Sequence, residues 1–184
     1  MRAACIGSRA LTKEQLDICE SLGAWLVRCG HIVDTGNAEG ADQAFARGGN
    51  TVNPELVHLH LPWYNFNREA IVEGNQIHLL DDLKESEFRL YEVIAQQYHP
   101  NWKALNRGGR KLMIRNSSIL IPPPEFWPVD LCLAWPSDKP GGGGTGQGMR
   151  IAAAEHVDTR LVDLRHQSPA DLFNLCEEIR ETAP

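Results

Sequence analysis

Apolar residues follow two spacings along this chain, and the order of the two predicts an α/β fold. Short apolar runs of strand length occupy 2–6, 31–34, 55–61, 129–135 and 159–164. Apolar residues recur with helical spacing at 13–28, 41–47, 86–97, 108–120, 149–156 and 168–181. Strands that alternate with helices form a mainly parallel sheet with helices on both faces.

The stretch 63–107 interrupts this alternation. It contains one helical pattern but no apolar run like those of the core strands. With 184 residues, 42% apolar and 23% charged, the chain has the size and composition of one globular domain. We therefore predict a single domain over 1–184, with a partly helical insertion at about 63–107.

Charge and cysteine usage narrow the classes of function. The net charge is −6, which argues against a general nucleic-acid binder. Basic residues near 107–115 form either a local patch or a solvated helix face. The five cysteines have no metal-binding spacing, and no signal peptide or run of about 20 apolar residues occurs. These features favour a reduced, cytoplasmic protein without a membrane segment.

A glycine-rich loop is the strongest functional signal. Six glycines lie between 141 and 148, after the apolar run 129–135 and before a helical pattern. A strand, a glycine loop and a helix in this order let backbone N–H groups and the helix dipole hold an anion. A flexible linker is the alternative, but too few residues follow Arg150 for a second core. The loop predicts a phosphate-bearing ligand such as a nucleotide.

Two other glycine-containing loops follow predicted strands, Gly7 to Arg9 and Thr35 to Gly40. Ligands of parallel sheets bind beyond the carboxyl ends of the strands. We expect the three loops to meet at one crevice.

Four motifs in this order resemble the SLOG superfamily. They are Gly7-Ser8-Arg9, the Thr-Gly-x-Ala-x-Gly-Ala-Asp run at 35–42, Arg115-Asn116, and the Pro-Gly-Gly-x-Gly-Thr run at 140–145. The superfamily holds Rossmann-like domains, including the LOG phosphoribohydrolases, the DNA-processing protein A family and small nucleotide-binding or sensing domains. The resemblance covers 1–61 and 108–165 and is closest to small stand-alone members, several of which are phage-borne.

The resemblance implies a set of site residues. Arg115 stands where LOG enzymes carry a catalytic arginine, and Asp42 is implied to cap or brace a helix. Members commonly pair, so a homodimer or larger homo-oligomer is also implied. The ligand-binding residues expected are Gly7, Ser8, Arg9, Gly36, Asn37, Gly40, Arg115, Asn116, Gly141, Gly142, Gly143, Gly144, Thr145, Gly146 and Gln147.

The chain departs from the LOG pattern at the catalytic acid. LOG enzymes continue Gly-Thr-x-Glu-Glu, whereas Gln147 and Gly148 occupy those positions here. Glutamine cannot take or give a proton as a carboxyl group does. Glu39 is either a substitute acid or an ordinary acid in a first helical turn. We therefore favour ligand binding, with Arg115 and Glu39 as catalytic candidates if the protein is a phosphoribohydrolase.

Other patterns leave alternatives open. His58 and His60 share a strand face and form a metal site only if His78 or His99 joins them, so no metal ligand and no cofactor is assigned. The Ser117-Ser118 pair lacks the setting of a hydrolase nucleophile. A DNA-processing or single-strand-binding protein and a self-assembling structural protein remain as further hypotheses.

Three groups of side chains have two interpretations each. Aromatic residues in 63–107 either stack on a base or pack the insertion. Arg68 and Arg150 are candidates for ligand charge pairing alongside Arg9 and Arg115. The apolar residues of the 108–120 helix belong to an oligomer interface or to packing on the sheet; they are Leu112, Met113, Ile119 and Leu120.

Overall fold

A computed structural model describes residues 1–121, 129–138, 143–154 and 159–182. It confirms the predicted fold class, a parallel sheet between two layers of helices. The strands are β1 Arg2–Gly7, β2 Ile32–Thr35, β3 Val57–Leu61, β4 Gln76–Leu79, β5 Leu131–Trp135 and β6 Arg160–Asp163. The helices are α1 Lys13–Arg28, α2 Ala41–Asn50, α3 Glu85–Tyr98, α4 Arg107–Leu120, α5 Gly143–Ala152 and α6 Pro169–Glu181.

The strand order in the sheet is β4-β3-β2-β1-β5-β6, and every neighbouring pair is parallel. The chain moves outward from β1 to β4 and then returns to the other side of β1 with β5. This reversal is the switch point at which Rossmann-like sheets open a crevice beyond their carboxyl ends. The site is therefore expected next to the ends of β1 and β5.

The two faces of the sheet bury separate apolar cores. On one face, alternate strand residues such as Cys5, Val33 and Leu133 pack against α1, α2 and α6. On the other face, Ile6 and Ala134 pack against α3, α4 and α5. Because side chains alternate across a strand, β1 and β5 supply both cores.

Helix α1 shows how local sequence sets an element. Gln15 N donates to Thr12 Oγ1 over 3.3 Å, and Thr12 N donates to Gln15 Oε1 over 2.9 Å. This capping box satisfies two backbone N–H groups that have no partner within the helix. The predicted range 13–28 is confirmed.

The stretch 63–107 is partly helical, as predicted, but it also supplies a strand that the pattern did not predict. Strand β4 pairs with β3 at the edge of the sheet. Gln76 and Ile77 are exposed, so this four-residue strand has no continuous apolar run. The stretch thus extends the sheet with an edge strand and adds α3 to one helical layer.

Helix α5 begins at Gly143, six residues before the predicted start at 149. Part of the glycine run is therefore the first turns of a helix, and close packing accounts for one of its glycines. A Cβ atom on Gly148 would lie 2.6 Å from Ile6 Cδ1 on β1. Gly141 and Gly142, predicted to bind phosphate, lie outside the described residues.

Candidate functional site

A crevice of about 260 Å³ opens at the carboxyl ends of β1 and β5. It lies where the strand order reverses, between the loop after β1, helix α4 and the start of α5. Its described lining consists of Ile6, Gly7, Ser8, Arg9, Ala38, Asp42, Leu112, Met113, Arg115, Asn116, Ser137, Gly143, Gly144 and Thr145.

The crevice brings together predicted residues from three distant parts of the sequence. The first-strand loop, the Arg115-Asn116 pair and the start of α5 all contribute lining residues. The predicted ligand-binding residues in the lining are Gly7, Ser8, Arg9, Arg115, Asn116, Gly143, Gly144 and Thr145.

Arg115 is the central charged group of the crevice. Its side chain is only 4% exposed, and Nη1 lies 3.5 Å from Asp42 Oδ2. Among the described residues, neither Nε nor Nη1 has a hydrogen-bond partner. Burial lowers the pKa of Arg115, Asp42 opposes that effect, and the charge of Arg9 adds to it. A buried guanidinium with unused donors is costly unless something else accepts from it.

Gly36 provides the space that Arg115 occupies. A Cβ atom on Gly36 would lie 1.1 Å from Arg115 Nη1 and 2.7 Å from Asp42 Oδ2. The Phe66 ring lies on another side, with its centroid 5.7 Å from Arg115 Cζ. Gly36 is not part of the lining, so its role is to position the arginine.

Asp42 ties the first two loops together. Oδ1 accepts from Gly7 N over 3.2 Å, and Oδ2 accepts from Ala38 N over 3.3 Å. Burial raises the pKa of this carboxyl group, although Arg115 and the two N–H groups act in the opposite direction. Gly40, at φ +88°, lets the same loop pass close to the backbone of Ser8. The resemblance implied a bracing role for Asp42; its place in the crevice lining was not predicted.

Gln147 lies in the helical layer instead of the crevice lining. Its side chain is fully buried, and Oε1 accepts from Asn116 Nδ2 over 3.2 Å. Nε2 donates to Met113 O over 3.2 Å and to Ala95 O over 3.4 Å. Gln147 therefore joins α3, α4 and α5.

Other predicted residues also lie outside the lining. Glu39 is exposed, and Gly146 is buried within α5. The Asn37 side chain donates to the backbone oxygens of Phe66 and Asn67, which fixes the loop after β2. Gly40 caps the start of α2.

The two further arginine candidates contact protein groups outside the crevice. The Arg68 guanidinium lies 4.9 Å from the Tyr64 ring centroid. Arg150 Nε donates to Tyr98 O over 2.8 Å. Trp63 and Phe66 pack edge to face in the core, which favours the packing interpretation of the aromatic residues.

The apolar residues of α4 pack inside the chain. Ile119 and Leu120 are buried in the core under α3, α4 and α5, and Met113 packs against it. Leu112 packs against the opposite core. These contacts remove the support that the α4 pattern gave to an oligomer interface, so the homo-oligomer remains an expectation from the resemblance.

A second polar cluster, the histidine cluster, lies on the α4 face of the sheet. It consists of Asp34 on β2, His58 and His60 on β3, and His78 on β4. His60 Nε2 lies 2.9 Å from Asp34 Oδ1, and His58 Nδ1 lies 2.9 Å from His78 Nε2. Arg2 closes one end by donating to both oxygens of Asp34. The other predicted candidate, His99, instead accepts from Asn101 N.

Burial controls the charge of this cluster. It lowers the pKa of His58 to about 4 and of His78 to about 3. Burial alone would raise the pKa of Asp34, but the hydrogen bond from His60 and the charges of His60 and Arg2 hold it below its ordinary value. His58 and His78 are therefore neutral near pH 7.

No family model matches the sequence, and no curated protein matches it significantly. Among the described residues, no helix is long and apolar enough to cross a membrane.

Proposed function

We propose that the crevice binds the phosphate group of a nucleotide or nucleotide-derived ligand. The observation that carries the proposal is Arg115, a buried guanidinium in the crevice wall whose ion pair with Asp42 is long, at 3.5 Å, so that its positive charge is only partly compensated. A guanidinium presents paired donors that match the geometry of a phosphate.

The charges around Arg115 support an anionic ligand. Arg9 is exposed and lines the same crevice, and its positive charge acts to lower the pKa of Arg115. Asp42 is the only acidic residue in the described lining, and two backbone N–H groups already occupy its oxygens. Two cations facing one partly engaged carboxyl group attract an anion.

Helix α5 adds a second source of positive potential. Its first residues, Gly143 to Thr145, line the crevice. The first N–H groups of a helix have no partner within it, and the helix dipole places partial positive charge there. The Thr145 hydroxyl is a further donor in the same position.

The rest of the crevice suits the organic part of such a ligand. Ile6, Ala38, Leu112 and Met113 give it apolar walls. Small-molecule sites combine apolar walls with a few polar groups that fix orientation. With all five cysteines unpaired, a reduced cytoplasmic setting fits this role.

Calorimetric titration with nucleoside monophosphates and the matching nucleosides tests the proposal. We expect binding that requires the phosphate group and weakens about 10- to 150-fold in Arg115→Met, because a hydrogen bond to a charged group contributes about 1.5–3 kcal/mol. Arg107→Met removes an exposed arginine from the same helix and is the matched control. Equal affinity for nucleosides and monophosphates, or no change in Arg115→Met, would overturn the proposal.

One observation favours a second candidate function, cleavage of an N-glycosidic bond. Asp42 lines the crevice, and burial raises the pKa of its carboxyl group, as a general acid requires. Chromatographic detection of free base and ribose 5-phosphate after incubation with AMP tests this function. Release that is lost in Asp42→Asn would support it, and no release from AMP or the other monophosphates would leave binding alone.

A further inference from the structure

The histidine cluster contains a nitrogen–oxygen contact that either a second proton on His60 or a metal ion can bridge. Ser118 Oγ on α4 donates to Arg115 O over 2.8 Å, which uses its only hydrogen. His60 Nδ1 lies 3.1 Å from Ser118 Oγ, and when the Ser118 hydrogen is given to Arg115 O the proton of this contact comes from His60. His60 Nε2 then faces Asp34 Oδ1 at 2.9 Å and requires a proton or a metal ion between them.

The other histidines bring further nitrogen donors to this point. One donor atom from each of Asp34, His60 and His78 lies within 4.8 Å of the other two. His58 Nδ1 lies 4.0 Å from Asp34 Oδ1 and 2.9 Å from His78 Nε2. Tetrahedral zinc, with bonds of about 2.0–2.1 Å, needs donor atoms about 3.3 Å apart. The observed distances between donor atoms include values below and above 3.3 Å, from 2.9 Å to 4.0 Å.

From this geometry we propose that Asp34, His60 and His78 bind a divalent transition metal ion of the Zn²⁺ type. Imidazole nitrogen with one carboxylate oxygen suits zinc and its neighbours, whereas Mg²⁺ and Ca²⁺ take oxygen ligands. The site joins β2, β3 and β4, so the ion links three strands of the sheet.

The surroundings of the cluster match those of metal sites in two respects. Ser118 fixes the tautomer of His60, and Arg2 orients the Asp34 carboxylate through Nε and Nη2. Partners of this kind accompany most metal ligands in proteins. A cavity of about 300 Å³, whose wall includes His60, His78 and Ser118, gives an ion a way in.

Titration of chelator-treated protein with Zn²⁺, followed by calorimetry, tests the site, and Co²⁺ absorption reports the ligand set. We expect one ion per chain and a rise in the unfolding temperature with Zn²⁺ that chelator reverses. His78→Gln changes a half-buried ligand and should reduce affinity more than about 100-fold. Ser118→Ala removes the partner of His60 and the hydroxyl bond to Arg115 O but no proposed ligand, and it should reduce affinity about 10- to 100-fold.

His166→Gln is the matched control, since this exposed histidine lies outside the cluster. It should bind zinc as the wild type does. The absence of saturable binding to the wild type, or unchanged affinity in a folded His78→Gln, would overturn the proposal. Nucleotide titration of His78→Gln should give wild-type affinity, because the crevice and the cavity beside the histidine cluster share no lining residue.

Discussion

Two buried arginines of this protein each lie beside a buried aspartate, and the two pairs differ in how completely they are satisfied. Arg2 donates Nε to Asp34 Oδ2 over 3.0 Å and Nη2 to Asp34 Oδ1 over 2.5 Å. Arg115 approaches Asp42 to 3.5 Å, yet its Nε and Nη1 have no hydrogen-bond partner among the described residues. The first pair is closely hydrogen-bonded within the protein, whereas the second leaves two buried donors of Arg115 without a close acceptor among the described residues.

The pKa values of the two aspartates differ in parallel with the hydrogen bonding of their arginines. Burial acts to raise the pKa of both, but the hydrogen bond from His60 and the charges of His60 and Arg2 bring that of Asp34 below its ordinary value. The pKa of Asp42 stays raised, because its pairing with Arg115 does not outweigh burial. The two ion pairs are both buried, and they differ in how closely each arginine is hydrogen-bonded to its aspartate.

Breaking the satisfied pair should have the largest effect. Arg2→Met leaves buried Asp34 without its guanidinium partner and should lower the free energy of unfolding by about 3–5 kcal/mol, as for other buried pairs that lose one partner. Urea unfolding measures this. Arg160 pairs with Glu178 on the surface, and Arg160→Met should cost less than about 1 kcal/mol. Similar losses in the two variants would contradict the importance of the Arg2 pair.

Gly36→Ala sharpens the comparison without removing a charge. The new Cβ would occupy the position of Arg115 Nη1 and displace the guanidinium. We expect monophosphate affinity to fall by about 10- to 150-fold, which corresponds to the 1.5–3 kcal/mol of a charged hydrogen bond. Gly108→Ala on α4, where the nearest atom to a Cβ is 3.7 Å away, is the control. A folded Gly36→Ala that binds like the wild type would remove Arg115 from the site.

The pKa values of Asp34 and Asp42 are shifted in opposite directions, so the two aspartates should affect the pH dependence of stability with opposite signs. Because the folded pKa of Asp42 lies above its ordinary value of 3.8, the native state holds its proton longer than the unfolded state. The contribution of Asp42 is present below pH 3.8 and is lost as pH rises through the folded pKa. Wild-type stability should therefore fall relative to Asp42→Asn by up to about 1.4 kcal/mol per pH unit in that window. Unfolding curves at several pH values measure it, and the opposite slope would contradict the raised pKa.

The sequence predicted most of the fold because its core strands and helices carry strong periodic patterns. Strand β4 was not predicted because an edge strand with exposed Gln76 and Ile77 has no apolar run. The start of α5 was predicted too late in the sequence because glycines usually end helices. Here Gly148 permits close packing on Ile6. Such packing depends on tertiary contacts that a local pattern does not contain.

The candidate site was predicted in part for a related reason. Residues at strand ends, such as Ser8 and Arg9, could be placed in a crevice from topology alone. The direction in which a helical side chain points could not be predicted from topology. Gln147 was therefore expected to bind ligand, although its side chain packs among α3, α4 and α5. Asp34, His60 and Ser118 come from β2, β3 and α4, and only the folded chain shows their contact.

Urea unfolding of Arg115→Met, with and without a nucleoside monophosphate, tests the central claim most directly. Without ligand, we expect stability within about 1 kcal/mol of the wild type, because the change removes unsatisfied donors and Asp42 keeps its two backbone N–H partners. With ligand at 100 times its dissociation constant, the wild type should gain about 2.7 kcal/mol and the variant much less. A loss as large as that expected for Arg2→Met, together with no stabilisation of the wild type by any monophosphate, would show that Arg115 is a structural cation and contradict the account.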